Sequence, residues 1–157
     1  VVELIGALAQ YEKEPEAAVA TVSDLRSALF GDPPAAHALV AETSCPGQEP
    51  QVVGMALWYY TFSTWSGRQS LYLEDLYVEP AHRGHGHGFA LMSQLAQVAK
   101  ARGCARMDWS VLDWNEPARR FYDSLGAQPL DGWTTWRLEP PALDALATLE
   151  PGSAQSG

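Results

Sequence analysis

The stretch YLEDLYVEPAHRGHGHG, from Tyr72 to Gly88, holds the spacing Arg83-x-x-Gly86-x-Gly88. It reads as a strand, a short turn at Pro80, then a basic residue and three alternating glycines, Gly84, Gly86 and Gly88, that open a helix. Backbone N–H groups at such a helix start have no partner inside the helix and form a cradle for an anion such as a phosphate. A Cβ would hinder both the positive φ of such a turn and the close approach of the anion. The spacing is not a P-loop, which ends in Gly-Lys-Ser/Thr, nor the dinucleotide fingerprint with its three glycines and distant acidic residue. His82, His85 and His87 share the loop. Side chains alternating along such a nest point apart, whereas a metal needs ligands held in one direction, so no metal site is expected.

Two further groups could move protons. Glu74 and Asp75 interrupt a strand that is otherwise apolar or aromatic. A carboxylate at such a depth is costly unless it has a partner or a task. Strand neighbours face opposite sides, so one of the two faces a site unless a β-bulge brings both to it. There it could take the proton of an ammonium, directly or through water; the alternative is a partly exposed or salt-bridged pair. Tyr122 carries a phenol of ordinary pKa about 10, protonated at neutral pH and able to donate to a departing thiolate. Its alternative role is packing beside Phe121 on a helix face.

The elements that would position these groups follow from periodicity and punctuation. Val1 to Lys13 has apolar residues at helical spacing, and Thr21 with Asp24 resembles a capping box for a second helix ended by Gly31-Asp32-Pro33-Pro34. His37 to Glu42 reads as a strand, Ser44 to Pro50 as a polar turn, and Val52 to Phe62 pairs with Ser70 to Val78 across a loop holding Trp65. A helix from about Gly88 to Arg102 would bury Phe89, Met92, Leu95 or Ala96, and Ala99. The strand RMDWSVL, a helix begun by Asn115-Glu116-Pro117, a last strand from Trp133 to Leu138 and a short helix from Ala142 to Leu149 complete the order, with a disordered tail after it. Trp58 and Trp136 are assigned to the core. The pattern is mixed α+β, expected as one domain over residues 1–150.

Composition narrows the partners. The 157 residues are 46% hydrophobic and 18% charged, the profile of a globular chain. A net charge of −9 argues against nucleic acid and weakly favours a cationic small substrate. No apolar run is long enough to span a bilayer and no signal peptide opens the chain, so no membrane partner is expected. Cys45 and Cys104 form no metal or disulfide framework, which points to a reducing, cytoplasmic setting.

The loop Arg83-x-x-Gly86-x-Gly88 is similar to the (Gln/Arg)-x-x-Gly-x-(Gly/Ala) signature of the GCN5-related N-acetyltransferases. The segment NEPARRFYDSLGA, from Asn115 to Ala127, resembles their N-x-x-A-x-x-x-Y-x-x-x-G-(F/A) element. Such a family implies an acyl-CoA N-acyltransferase fold, a central, mostly antiparallel mixed sheet flanked by helices. Its usual first strand is missing here, since the chain starts at Val1 inside the first helix; residues absent upstream are the preferred explanation. The resemblance implies acetyl-CoA as co-substrate, held by Leu76, Tyr77, Val78, Arg83, Gly84, His85, Gly86, His87, Gly88, Phe89, Asn115, Glu116, Pro117, Ala118 and Tyr122. It implies Tyr122 as the acid that protonates the thiolate and Glu74 as the base.

Over nearly the whole chain the sequence looks like the spermidine/spermine acetyltransferase family. The runs STW and VLDWN bring it nearer the thialysine branch, and Ser63 stands where the polyamine branch carries an acidic residue. By this resemblance Glu12, Trp65, Glu74, Asp75 and Trp133 contact a small cationic amine, through carboxylates and aromatic faces. Acetylation of a protein or peptide amine, and a non-catalytic acyl-CoA sensor, are the competing readings. A homodimer is also implied.

Overall fold

The computed structural model describes residues 1–44, 47 and 49–149. Cys45, Pro46 and Gln48 of the expected polar turn, and the expected tail, lie outside the described residues. The chain divides into two compact units, Val1–Leu112 and Asp113–Gly157.

In the first unit, α1 (Val2–Tyr11) and α2 (Val22–Phe30) precede three strands, β1 (His37–Thr43), β2 (Gln51–Ser63) and β3 (Arg68–Val78). Then come α3 (His87–Ala101) and a three-residue β4 (Met107–Trp109). The sheet order is β1-β2-β3-β4, antiparallel except for the parallel pair β3–β4, so the sheet is mixed.

The apolar stripe of α1 covers one face of this sheet. Leu4 packs with Met55, Leu57 and Tyr77, and Ile5, Leu8, Tyr11 and Ala38 close around them. Further along β1, Leu39, Val40 and Ala41 line a hollow with Ala90, Leu91 and Gln94 of α3. Strand side chains alternate, so α1 and α3 cover opposite faces. Gly54 permits the tight packing of the strands. A Cβ there would stand 2.9 Å from the Tyr77 carbonyl and 3.1 Å from a Val78 methyl, closer than the sheet allows.

Several expectations need correction. Leu91, Met92, Leu95 and Ala99 form the buried face of α3, whereas Phe89 is 62% exposed. The strand expected from RMDWSVL pairs for three residues only: its ladder with β3 ends at Leu73 and Trp109, one residue before the register of β3 with β2 shifts. Trp133 to Leu138 forms no strand. Aromatic and β-branched residues favour strands when a half-buried pleated surface receives them. Here Trp133 and Trp136 are 77% and 91% exposed, which also removes Trp136 from the core. Trp58, at 6%, is buried as expected.

The second unit holds α4 (Glu116–Ser124) and α5 (Ala142–Ala147). Asn115 caps α4 by accepting from the Ala118 N–H at 3.3 Å, and Pro117 sits in the first turn, where its missing N–H costs nothing.

Candidate active site

A β-bulge sets the geometry of the acidic pair. Leu57 pairs with Asp75 and Trp58 with Leu73, so Glu74 is the extra residue that no residue of β2 opposes. A bulge of this kind twists the strand and redirects its side chains. Glu74 is exposed and Asp75 half-buried. Their surroundings differ. The Tyr59 and Tyr72 rings lie 5.2 Å apart, tilted by 36°, and burial, together with the charge of Glu74, raises the Tyr59 phenol above its ordinary pKa. Asp75 is pushed up to about 6 by burial, then by the charges of Glu74 and of Glu12. Burial raises the Glu12 carboxyl as well. Glu12, Glu74 and Asp75 thus share one field, with Glu12 supplied by the end of α1.

That end is built without the usual glycine. The Glu14 N–H donates to Ala9 O at 2.9 Å and the Lys13 N–H to Gln10 O at 3.2 Å, the paired bonds of a Schellman stop. Lys13 occupies the left-handed position at φ 66°. Glu12, the C-cap, therefore leaves the helix at a fixed angle, although a carboxylate there opposes the helix dipole.

Past the bulge, β3 has β2 on one edge and no strand on the other among the described residues. The Glu79 N–H donates to Val53 O at 2.9 Å. By the alternation of an antiparallel ladder, Tyr77 and Asp75 direct their backbone groups to β2, while Leu76 and Val78 direct theirs to the open edge. Arg83 Nε donates to the Val78 carbonyl at 2.9 Å, which leaves the Leu76 and Val78 N–H groups facing that edge.

The glycine loop follows directly. Gly84 and Gly86 have φ 78° and 85°, and a Cβ on either would meet nothing within 4 Å. Open space therefore adjoins both glycines, and backbone conformation is what requires them. Gly86 is the N-cap of α3, so the amides of His87, Gly88 and Phe89 have no acceptor within the helix. Open space beside unpaired amides at a helix start fits a diphosphate. His85 is exposed; the His82 and His87 rings lie 6.5 Å apart edge to face, with His82 Nε2 3.9 Å from Glu79.

The structure thus brings together Glu12, Glu74, Asp75, Leu76, Tyr77, Val78 and the residues of the loop in the first unit. Trp65 lies on the hairpin between β2 and β3 and is 91% exposed. Asn115, Glu116, Pro117, Ala118, Tyr122 and Trp133 belong to the second unit. There Tyr122 is half-buried on α4, its ring 5.4 Å from that of Phe121. Tyr11, whose ring lies under Arg83, was not legible as a site residue. Its position, just before Glu12 at the end of an apolar stripe, was the only signal.

Comparison with known proteins gives a consistent result. The acetyltransferase (GNAT) family model matches residues 6–127. The thialysine N-epsilon-acetyltransferase of Bos taurus is 44% identical over 153 residues, covering 94% of this chain and 89% of the relative. The protein of the same name from Caenorhabditis elegans is 37% identical, covering 93% and 88%. Among solved structures, an integron cassette protein from the mobile metagenome of V. cholerae superposes with a TM-score of 0.72 at 28% identity, over 94% of this chain and 91% of that one.

Proposed function

This chain belongs to the acetyltransferase (GNAT) family, and on that premise we propose that the amine it acetylates is the terminal ammonium of a small cationic amino acid, thialysine being the best fit. It is an acetyl-CoA-dependent N-acetyltransferase. Bound acetyl-CoA supplies an activated thioester. In this reading the amides at the start of α3 and the turns at Gly84 and Gly86 hold its diphosphate. The open edge of β3 lines its pantetheine arm, and one N–H of that edge polarises the thioester carbonyl.

The observation that carries the choice of amine is the carboxylate group Glu12, Glu74 and Asp75 at the bulge. The charges of Glu74 and Glu12 add to the cost of ionising the half-buried Asp75, and one bound cation would offset that cost. Asp75 and Glu12 hold the ammonium in this reading. Glu74, exposed at the apex of the bulge, takes its proton directly or through water. Tyr122 supplies a proton to the leaving thiolate, with Asn115 and its neighbours beside the CoA. Trp65 and Trp133 offer aromatic faces to the alkylammonium. The homodimer and the cytoplasmic setting implied by the sequence belong to the same reading, as does the absence of a metal.

The test is thialysine acetylation followed across pH in the wild type and in Glu74→Gln. Without a base, more of the amine must be free before it binds, so the profile should move to higher pH with activity partly restored there. Lack of turnover with thialysine, or a shift produced by Asp75→Asn and not by Glu74→Gln, overturns the corresponding part of the reading.

A further inference from the structure

Arg83 opens the glycine loop, yet its side chain points to the sheet and α1. Its guanidinium carbon lies 4.8 Å above the centre of the Tyr11 ring and 5.6 Å from that of Tyr77, and Nε holds the Val78 carbonyl at 2.9 Å. Two elements meet at one side chain through three contacts: the last turn of α1 through Tyr11, the core face of β3 through Tyr77, and the end of β3 through its backbone. The hydrogen bond uses the donor nearest the stem, and the rings hold the plane beyond it. Such a group fixes direction, because a planar guanidinium stacks in few orientations.

We propose that Arg83 is a positioning residue that clamps the start of the phosphate loop to α1, so that Tyr11, outside the loop, helps to set the affinity for CoA. The clamp has a second consequence. Glu12 follows Tyr11 directly, so the side chain that sets the direction of the loop also fixes the end of α1 that supplies the carboxylate next to Asp75. The CoA loop and the amine-binding carboxylates are then linked through one guanidinium, with no contact between the two ligands required. The amine half of this inference rests on the function proposed above; the CoA half rests on the loop alone.

The test is a double-mutant cycle on CoA affinity, measured by calorimetry on the full chain in four proteins: wild type, Tyr11→Leu, Arg83→Met and the double variant. An exposed cation–π contact is worth about 0.5–1 kcal/mol, so Tyr11→Leu should weaken CoA binding roughly two- to five-fold. In the Arg83→Met background the same change should do nothing further. Tyr11→Phe, which keeps the ring face, should bind CoA as the wild type does, and this separates the clamp from general damage to α1. An equal loss from Tyr11→Leu in both backgrounds, or no loss in either, overturns the clamp. A loss in Tyr11→Phe as large as in Tyr11→Leu also overturns it. At saturating acetyl-CoA, Arg83→Met should in addition raise the KM for thialysine several-fold; an unchanged KM limits the clamp to the cofactor loop and refutes the link. If the wild type fails to turn over thialysine, the proposed substrate fails while the CoA cycle still decides the clamp.

Discussion

In the proposed function, Asp75 is where substrate binding and stability oppose each other at a single residue. Its carboxyl is raised from 3.8 to about 6 in the fold, so the native state holds that proton more tightly than the unfolded chain does. The sign follows. The residue's favourable contribution is complete below pH ~4 and is lost as pH rises through about 6. Asp75→Asn should therefore be more stable than the wild type at pH 7, by on the order of 1–3 kcal/mol, with the gap closing as pH falls towards 4. Denaturation midpoints of both proteins at several pH values check this. A gap that widens on acidification would mean that Asp75 is held by a cation within the fold. The pair Glu74–Asp75 was visible in the sequence because two acids break an apolar run, and a bulge was foreseen as one way to use both. The division between an exposed Glu74 and a half-buried Asp75 was not, since it depends on where the register slips, and no residue of β3 marks that place. Glu12 was legible only through resemblance, because its importance comes from α1 ending against the sheet.

At the scale of elements, punctuation residues made most boundaries readable. Thr21 and Asp24 form the expected reciprocal cap, the Thr21 side chain accepting from the Asp24 N–H at 3.2 Å and Asp24 accepting from the Thr21 N–H at 2.9 Å. Asn115 and Pro117 open α4 as anticipated. The end of α1 is the exception: its left-handed residue is Lys13, so no glycine announces it. Replacing that side chain in two ways isolates the backbone cost. Lys13→Gly should be more stable than Lys13→Ala by about 1 kcal/mol, although alanine is the better helix former, because only glycine meets φ 66° without strain. Equal midpoints in chemical denaturation would remove the strain argument. The strand expected at Trp133 to Leu138 failed for a related reason. Strand-forming side chains report a preference for a pleated surface, and whether a neighbouring strand offers one is not local information. The shortening of β4 is likewise non-local, since its ladder ends at Leu73, next to a register shift that β3 makes with β2.

For the whole molecule, the order of helices and strands as far as α4, the mixed sheet and the glycine loop were legible, because each leaves a periodic or spaced trace. The roles of the carboxylates and of the phenol leave none, and the proposed function takes them from the resemblance and from the local geometry of each unit. Tyr122→Phe tests the proposed acid: kcat should fall by about 10²–10⁴-fold with acetyl-CoA affinity little changed, and less with an acyl donor whose thiol is more acidic. A stable variant with wild-type kcat would remove Tyr122 as the acid. The acidic balance of the chain, with 19 Asp and Glu against 10 Lys and Arg, suits a cation as substrate but selects none. In the proposed function selection falls to the bulge and the aromatic faces, and the most direct measure of it is kcat/KM for acetyl-CoA-dependent turnover of thialysine, lysine, spermidine and a short lysine-containing peptide under one set of conditions. Thialysine should give the highest value, with spermidine below it because Ser63 lacks the negative charge a second ammonium would need, and with the peptide lowest. A peptide or spermidine turned over more efficiently than thialysine would contradict the account.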